Sequence, residues 1–144
     1  MRIQTAIDIE ADAEVVWQHL IDVEHYPEWN PLTYRVEGTL EVGQPVVLRV
    51  RLGGRTLKRT HRVSRVDVER RELGWTIIDG HRWRSHGERV QRVEHLGEGR
   101  CRYTNDEQVH GLMGLVTGLM LRGTLTRALE RVGEALKRRA ESVG

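Results

Sequence analysis

The chain contains no phenylalanine, one cysteine and three prolines. A lone cysteine, Cys101, excludes an internal disulfide and points to a reducing compartment, the cytoplasm. The opening run MRIQTAIDIEADAE lacks the apolar core of a secretory signal. The most apolar segment, Gly111 to Leu121, rises about 16 Å as a helix, well short of a ~30 Å hydrocarbon core. No integral membrane segment is therefore expected, and the Gly114–Gly118 spacing reads as close packing inside a fold. There is no Gly-rich phosphate loop, no G-x-S-x-G and no H-E-x-x-H, so the motif-borne chemistries are excluded. Repeats, low-complexity tracts and linkers are missing too. Residues 1–144 read as one domain with enough chain for a proper core.

What is present is a mixed-charge surface. Hydrophobic residues make up 38% and charged residues 31%, and the net charge is +2 although the pI is near 9.0. Arg49, Arg51, Lys58, Arg62 and Arg65 could form a basic strip on neighbouring strands. Nucleic-acid binding needs such a strip with exposed aromatics or a groove-sized helix, and the pattern offers neither. A solvated face is the expectation, with no nucleic-acid partner.

Ile3, Thr5, Ile7 and Ile9 alternate with polar neighbours, the period of a half-buried strand. Asp12 offers an N-cap, with Glu14 in the first turn, and Val16, Trp17, Leu20 and Ile21 follow at helical spacing. Pro27 and Pro31 end that helix. From Thr33 to His110 strand follows strand, with turns at Val42-Gly43, Gly53-Gly54, Asp79-Gly80 and Gly97-Glu98-Gly99. A phase slip near Ser64-Arg65 predicts a bulge. After Gly111 the period turns helical, and Leu112, Leu115, Leu119, Thr126, Leu129, Val132 and Leu136 fall on one face. One helix of ~40 Å is expected there. Short connections without β-α alternation exclude a parallel sheet, so an antiparallel sheet must curl around the long helix: an α+β fold.

The stretch Ala13-Glu14-Val15-Val16-Trp17 through Leu20-Ile21-Asp22, then Tyr26-Pro27-Glu28-Trp29-Asn30-Pro31, resembles the opening of START-like, Bet v 1-like (SRPBCC) domains. It is most similar to the bacterial polyketide cyclase/dehydrase and lipid-transport branch. Val42-Gly43, Leu73-Gly74-Trp75, Gly97-Glu98-Gly99, Tyr103-Thr104 and Gly111 extend the likeness along the whole chain. The resemblance implies a helix-grip fold of about seven strands, two short helices after the first strand, and a cavity between sheet and C-terminal helix. It also implies binding of lipids, sterols, polyketides or hormones, with cyclisation or dehydration in some members.

Strand parity supplies the candidate site. If Val63, Val93, Tyr103 and Val109 face inward, so do Arg59, His61, Arg89, Gln91, Asn105 and Glu107. Buried charges must pair, and Arg59 or Arg89 with Glu107 is the obvious internal pair. These groups either orient a ligand bearing a carboxylate, hydroxyl or keto oxygen, or only brace the sheet. Trp75 is the tryptophan best placed to line a cavity, and Trp83 lies near a loop where it gates the entrance or caps the core. Met113, Val116, Met120 and Leu121 form the expected helical wall, although ordinary core packing accounts for them equally. His61, Glu107 and Tyr103 are the acid–base candidates. Cys101 reads as a small buried filler, not a nucleophile. The seven histidines form no spaced metal pair, though His81 and His86 fall beside one loop. No metal and no cofactor is expected.

The leading expectation is a ligand-binding protein for a hydrophobic small molecule, with the carrier reading ahead of the enzyme reading; a homodimer is compatible with it. An aromatase/cyclase or dehydratase is the alternative, and a protein-interaction module a third.

Overall fold

A computed structural model describes residues 1–77 and 86–143 and leaves out the side chains of Met113 and Val143. The expected turn at Asp79-Gly80, and His81 and Trp83, lie outside the described residues. β1 (Arg2–Ile9) forms where alternation predicts it, with Ile3 and Ile9 buried. α1 (Ala13–Ile21) buries Ala13, Val16, Trp17 and Leu20, one face of a helix. Asp12 stands at its N-cap without a side-chain cap bond; its carboxylate instead accepts the Gly99 N–H at 2.8 Å, tying the helix entry to the last hairpin. A 3-10 helix (Val23–Glu28) follows and accommodates Pro27, the second of the two short helices expected after the first strand. Asn30 Oδ1 then accepts the N–H groups of Leu32 and Thr33, turning the chain into the next strand.

Six further strands complete the sheet among the described residues: β2 (Thr33–Gly38), β3 (Pro45–Leu52), β4 (Arg55–Asp67), β5 (Glu72–Ile77), β6 (His86–Gly97) and β7 (Arg100–His110). Their order is β1-β7-β6-β5-β4-β3-β2, antiparallel throughout. β1 pairs with β7 across the chain, Arg2 opposite Gln108 and Ile9 opposite Cys101. The β4–β5 register shifts between Val63 and Arg65, the bulge that the parity slip foretells.

The C-terminal segment departs from expectation. The helix breaks at Leu121 into α2 (Gly111–Met120) and α3 (Arg122–Val143). α3 is the core helix and buries Leu129, Val132, Leu136 and Ala140. At about 1.5–3 kcal/mol for each large side chain, that stripe contributes much of the drive to close the sheet. Gly133 lets α3 lie tight on β1, since a Cβ there would meet Ile7 at 3.1 Å.

α2 faces the other way. Its glycine side is pressed against the protein: a Cβ on Gly114 would stand 2.4 Å from the Val109 carbonyl oxygen, and one on Gly118 would touch Met1 at 3.5 Å. The expected close packing of both glycines is present, and it turns Leu112, Leu115 and Leu119 outward instead of onto the stripe of Leu129, Val132 and Leu136.

Candidate functional site

A cavity of about 530 Å³ lies between the β2–β7 face of the sheet and the α2–α3 junction. Leu32, Leu48, Val50, Leu52, Leu57, Trp75, Ile77, Val109, Leu121 and Leu125 supply an apolar wall. Arg59, His61, Arg89, Glu107, Thr33 and Thr117 supply the polar atoms. Cross-strand pairing explains the grouping, because partners opposite one another share a face. Val63, Trp75, Arg89 and Glu107 are successive partners across four strands, with Ile3 of β1 beyond them. Leu48 pairs with Arg59, and His61 pairs with both Val46 and Ile77.

Arg89 is 7% exposed. Its Nε donates to Asn105 Oδ1 at 3.0 Å and stands 3.8 Å from a Glu107 carboxylate oxygen, the pair anticipated from parity. Asn105 Nδ2 donates to the Tyr103 hydroxyl at 3.1 Å, and that hydroxyl donates to Gln91 Oε1 at 2.5 Å. Arg59 is exposed at the rim and has no carboxylate partner among the described residues. Thr33 Oγ1 is buried at the wall and lacks a hydrogen-bond partner among them.

Burial pushes the Glu107 carboxyl above its ordinary range; Arg89 pulls it back and Asp106 raises it further. Burial also pushes the Tyr103 phenol up to about 12, against the pull of Arg89. Cys101 is buried and its thiol is pushed up to about 11 by desolvation, then by Asp12, so it stays protonated and inert at neutral pH. Among the described residues no three His, Cys, Asp or Glu side chains could share a metal ion.

Arg59, His61, Trp75, Arg89 and Glu107 therefore border one space. Gln91, Tyr103 and Asn105 do not reach it; they form a buried hydrogen-bonded floor behind Arg89, which removes Tyr103 from the acid–base candidates of this cavity. Val116 and Met120 are corrected as well: they are 39% and 77% exposed, and Thr117, Leu121 and Leu125 form the helical wall in their place. The cause is the inverted seating of α2 on its glycines. His86 is on β6 and exposed, its ring stacked on His110 at 5.2 Å. Leu48, Val50 and Leu52 could have been added from their shared parity, whereas Thr33 and Leu125 carry no such signal.

Two of the five residues of the expected basic strip, Arg49 and Arg65, are paired with carboxylates. Arg49 pairs with Glu37, Arg65 with Glu72 and Glu88, and Arg62 donates to the Gly43 carbonyl.

A curved sheet gripping a helix over a partly polar cavity is the architecture of a START-like, Bet v 1-like domain. The model of the family described as polyketide cyclase / dehydrase and lipid transport matches residues 1–141, and the chain belongs to that family. Among solved structures it is similar to the Zhui aromatase/cyclase from Streptomyces sp. R1128, at 26% identity and a TM-score of 0.76 over 98% of this chain and 93% of that one. A START superfamily protein from Mycobacterium smegmatis matches at 20% identity and a TM-score of 0.77, over 99% of both chains. Norcoclaurine synthase from Thalictrum flavum, in complex with dopamine and hydroxybenzaldehyde, matches at 16% and 0.76, over 99% and 87%. No curated protein matches the sequence.

Proposed function

We propose that this protein binds a hydrophobic small molecule bearing an anionic or polar oxygen, and holds it in the cavity between sheet and helices. One observation carries the reading: ten apolar side chains and the guanidinium groups of Arg59 and Arg89 border a single space of about 530 Å³. That volume is in the range of small-molecule sites, in which apolar walls supply area and a few polar groups fix orientation. Arg59 is the group available to a ligand carboxylate, since a guanidinium fork donates two parallel hydrogen bonds. The proposed setting is binding or sequestration in the cytoplasm.

Conversion of the ligand is a second reading, favoured by the Glu107 carboxyl, which burial lifts toward the range of a general acid. His61 borders the same space and is the candidate second group. The likeness to an aromatase/cyclase supports keeping it.

Native mass spectrometry of the protein purified from its own host tests the binding reading. The expected result is a co-purifying lipid- or polyketide-like mass; an empty protein, with no thermal shift across a panel of such compounds, overturns it. Turnover of a polyketide substrate, abolished in Glu107→Gln, would establish the second reading.

A further inference from the structure

The outward face of α2 is the least explained part of the surface. Leu112, Leu115, Val116, Leu119 and Met120 recur at i, i+3, i+4, i+7 and i+8, the stripe that normally turns into a core. Here it turns out. These residues are 54%, 62%, 39%, 79% and 77% exposed, while Gly114, Thr117 and Gly118 occupy the inner side. No charged residue interrupts the segment from Gly111 to Leu121.

The flank of this stripe is basic. Arg122 begins α3, and a Cβ on Gly53 in the β3–β4 hairpin turn would stand 3.7 Å from Thr124 in the first turn of that helix. Between turn and helix is a second hollow of about 200 Å³, bordered by Arg51, Arg127 and Arg131. Arg51 lies over the Tyr34 ring at 4.3 Å. None of these three, nor Arg55 or Arg122, has a carboxylate partner among the described residues. On the opposite flank of α3, Glu130 and Glu134 border a separate groove against β1.

From this juxtaposition we infer that α2 and its arginine flank dock the protein on an anionic lipid bilayer. An apolar stripe with cations beside it is the pattern of a helix that lies in the membrane interface, its apolar side among the acyl chains and its cations among the headgroups. A second copy of the chain suits the face poorly, because pairing two stripes brings two uncompensated arginine clusters together. The inner residues of the junction, Thr117 and Leu121, border the main cavity, so the docked face adjoins the space in which the ligand is proposed to sit. Docking does not depend on that cavity being occupied, and it is measured on the protein alone.

Vesicle co-sedimentation tests the inference. Wild-type protein should bind vesicles of phosphatidylcholine mixed with phosphatidylglycerol, release at high salt, and bind pure phosphatidylcholine weakly. Leu119→Asp with Met120→Asp should lower binding by about tenfold or more, as two apolar side chains are lost from the interface. Arg127→Glu and Arg131→Glu should each cost about fivefold or more at low salt. All four positions are exposed, and circular dichroism with unfolding midpoints should show unchanged folding. Absence of phosphatidylglycerol-dependent binding overturns the inference and leaves the stripe to a protein partner. So does a wild-type dimer by light scattering that becomes a monomer in Leu119→Asp.

Discussion

The Arg89 guanidinium stands 3.8 Å from the carboxylate of Glu107, its direct cross-strand neighbour, at the edge of the cavity. The same side chain donates to Asn105, which is fully buried. Arg89→Met removes both interactions at once and leaves Glu107 and Asn105 without their cation. Loss of about 3 kcal/mol in urea unfolding is expected. The double variant Arg89→Met, Glu107→Leu should recover most of it, because the uncompensated charge is gone. A single variant as stable as wild type would show that the pair is solvated and carries no structural role.

Glu107 sets a pH dependence of definite sign. Its folded-state pKa is raised, so folding binds its proton more tightly than the unfolded chain does. That contribution is fully present below the ordinary glutamate value of about 4.3 and is lost as pH rises through the folded-state value. Glu107→Gln cannot titrate. The stability of wild type relative to the variant should therefore fall as pH rises through this window, read from denaturant midpoints at a series of pH values. A constant difference across the series would remove the burial argument.

Behind the cavity, the Tyr103 hydroxyl accepts from Asn105 and donates to Gln91. Tyr103→Phe leaves two buried amide groups short of a partner and should cost about 1–3 kcal/mol. Because Tyr103 does not border the main cavity, ligand affinity of the folded protein should stay within about twofold of wild type. Calorimetry on the folded fraction separates the two effects.

Arg59 should behave in the opposite manner. It is exposed and has no carboxylate partner among the described residues, so Arg59→Met should change stability by less than about 0.5 kcal/mol. If it receives a ligand carboxylate, affinity should drop by about tenfold or more, the worth of a charge-assisted hydrogen bond. Equal binding by variant and wild type would place the ligand's oxygen elsewhere.

Two glycines near the helix break make a matched pair. Gly114→Ala forces a methyl group to 2.4 Å from the Val109 carbonyl oxygen, and should cost about 1–3 kcal/mol while loosening α2. Gly123→Ala meets nothing within 4 Å and should be neutral or stabilising by up to about 1 kcal/mol. Thermal unfolding of both variants checks the prediction, and a tolerated Gly114→Ala would show that α2 is free to shift.

Strand parity exposed most of this architecture in advance. Period-two alternation located β1, β3 and β7, and the slip at Ser64-Arg65 located the bulge, because backbone pleating allows a side chain only two directions. It also gathered Arg59, His61, Arg89 and Glu107 onto one face. Parity cannot measure depth, however. It placed Gln91, Tyr103 and Asn105 with the cavity groups, whereas the cavity ends at Arg89 and the next rows are filled by their own hydrogen bonds. The helix was harder still. Leucine periodicity says that Leu112, Leu115 and Leu119 share a side, but not which side; backbone contact at Gly114 and Gly118 decided that, and it depends on neighbours distant in sequence.

Among the described residues β1 has a single sheet partner, and that partner is made last among their strands. During synthesis Arg2 waits for Gln108, which at about 5–20 residues per second is a delay of roughly 5–20 s. Throughout that interval the nascent strand carries unpaired N–H and C=O groups beside Ile3, Ile7 and Ile9. The nascent chain thus carries an unpaired apolar strand until β7 emerges, and a strand-shielding chaperone acts on that window before any cavity exists.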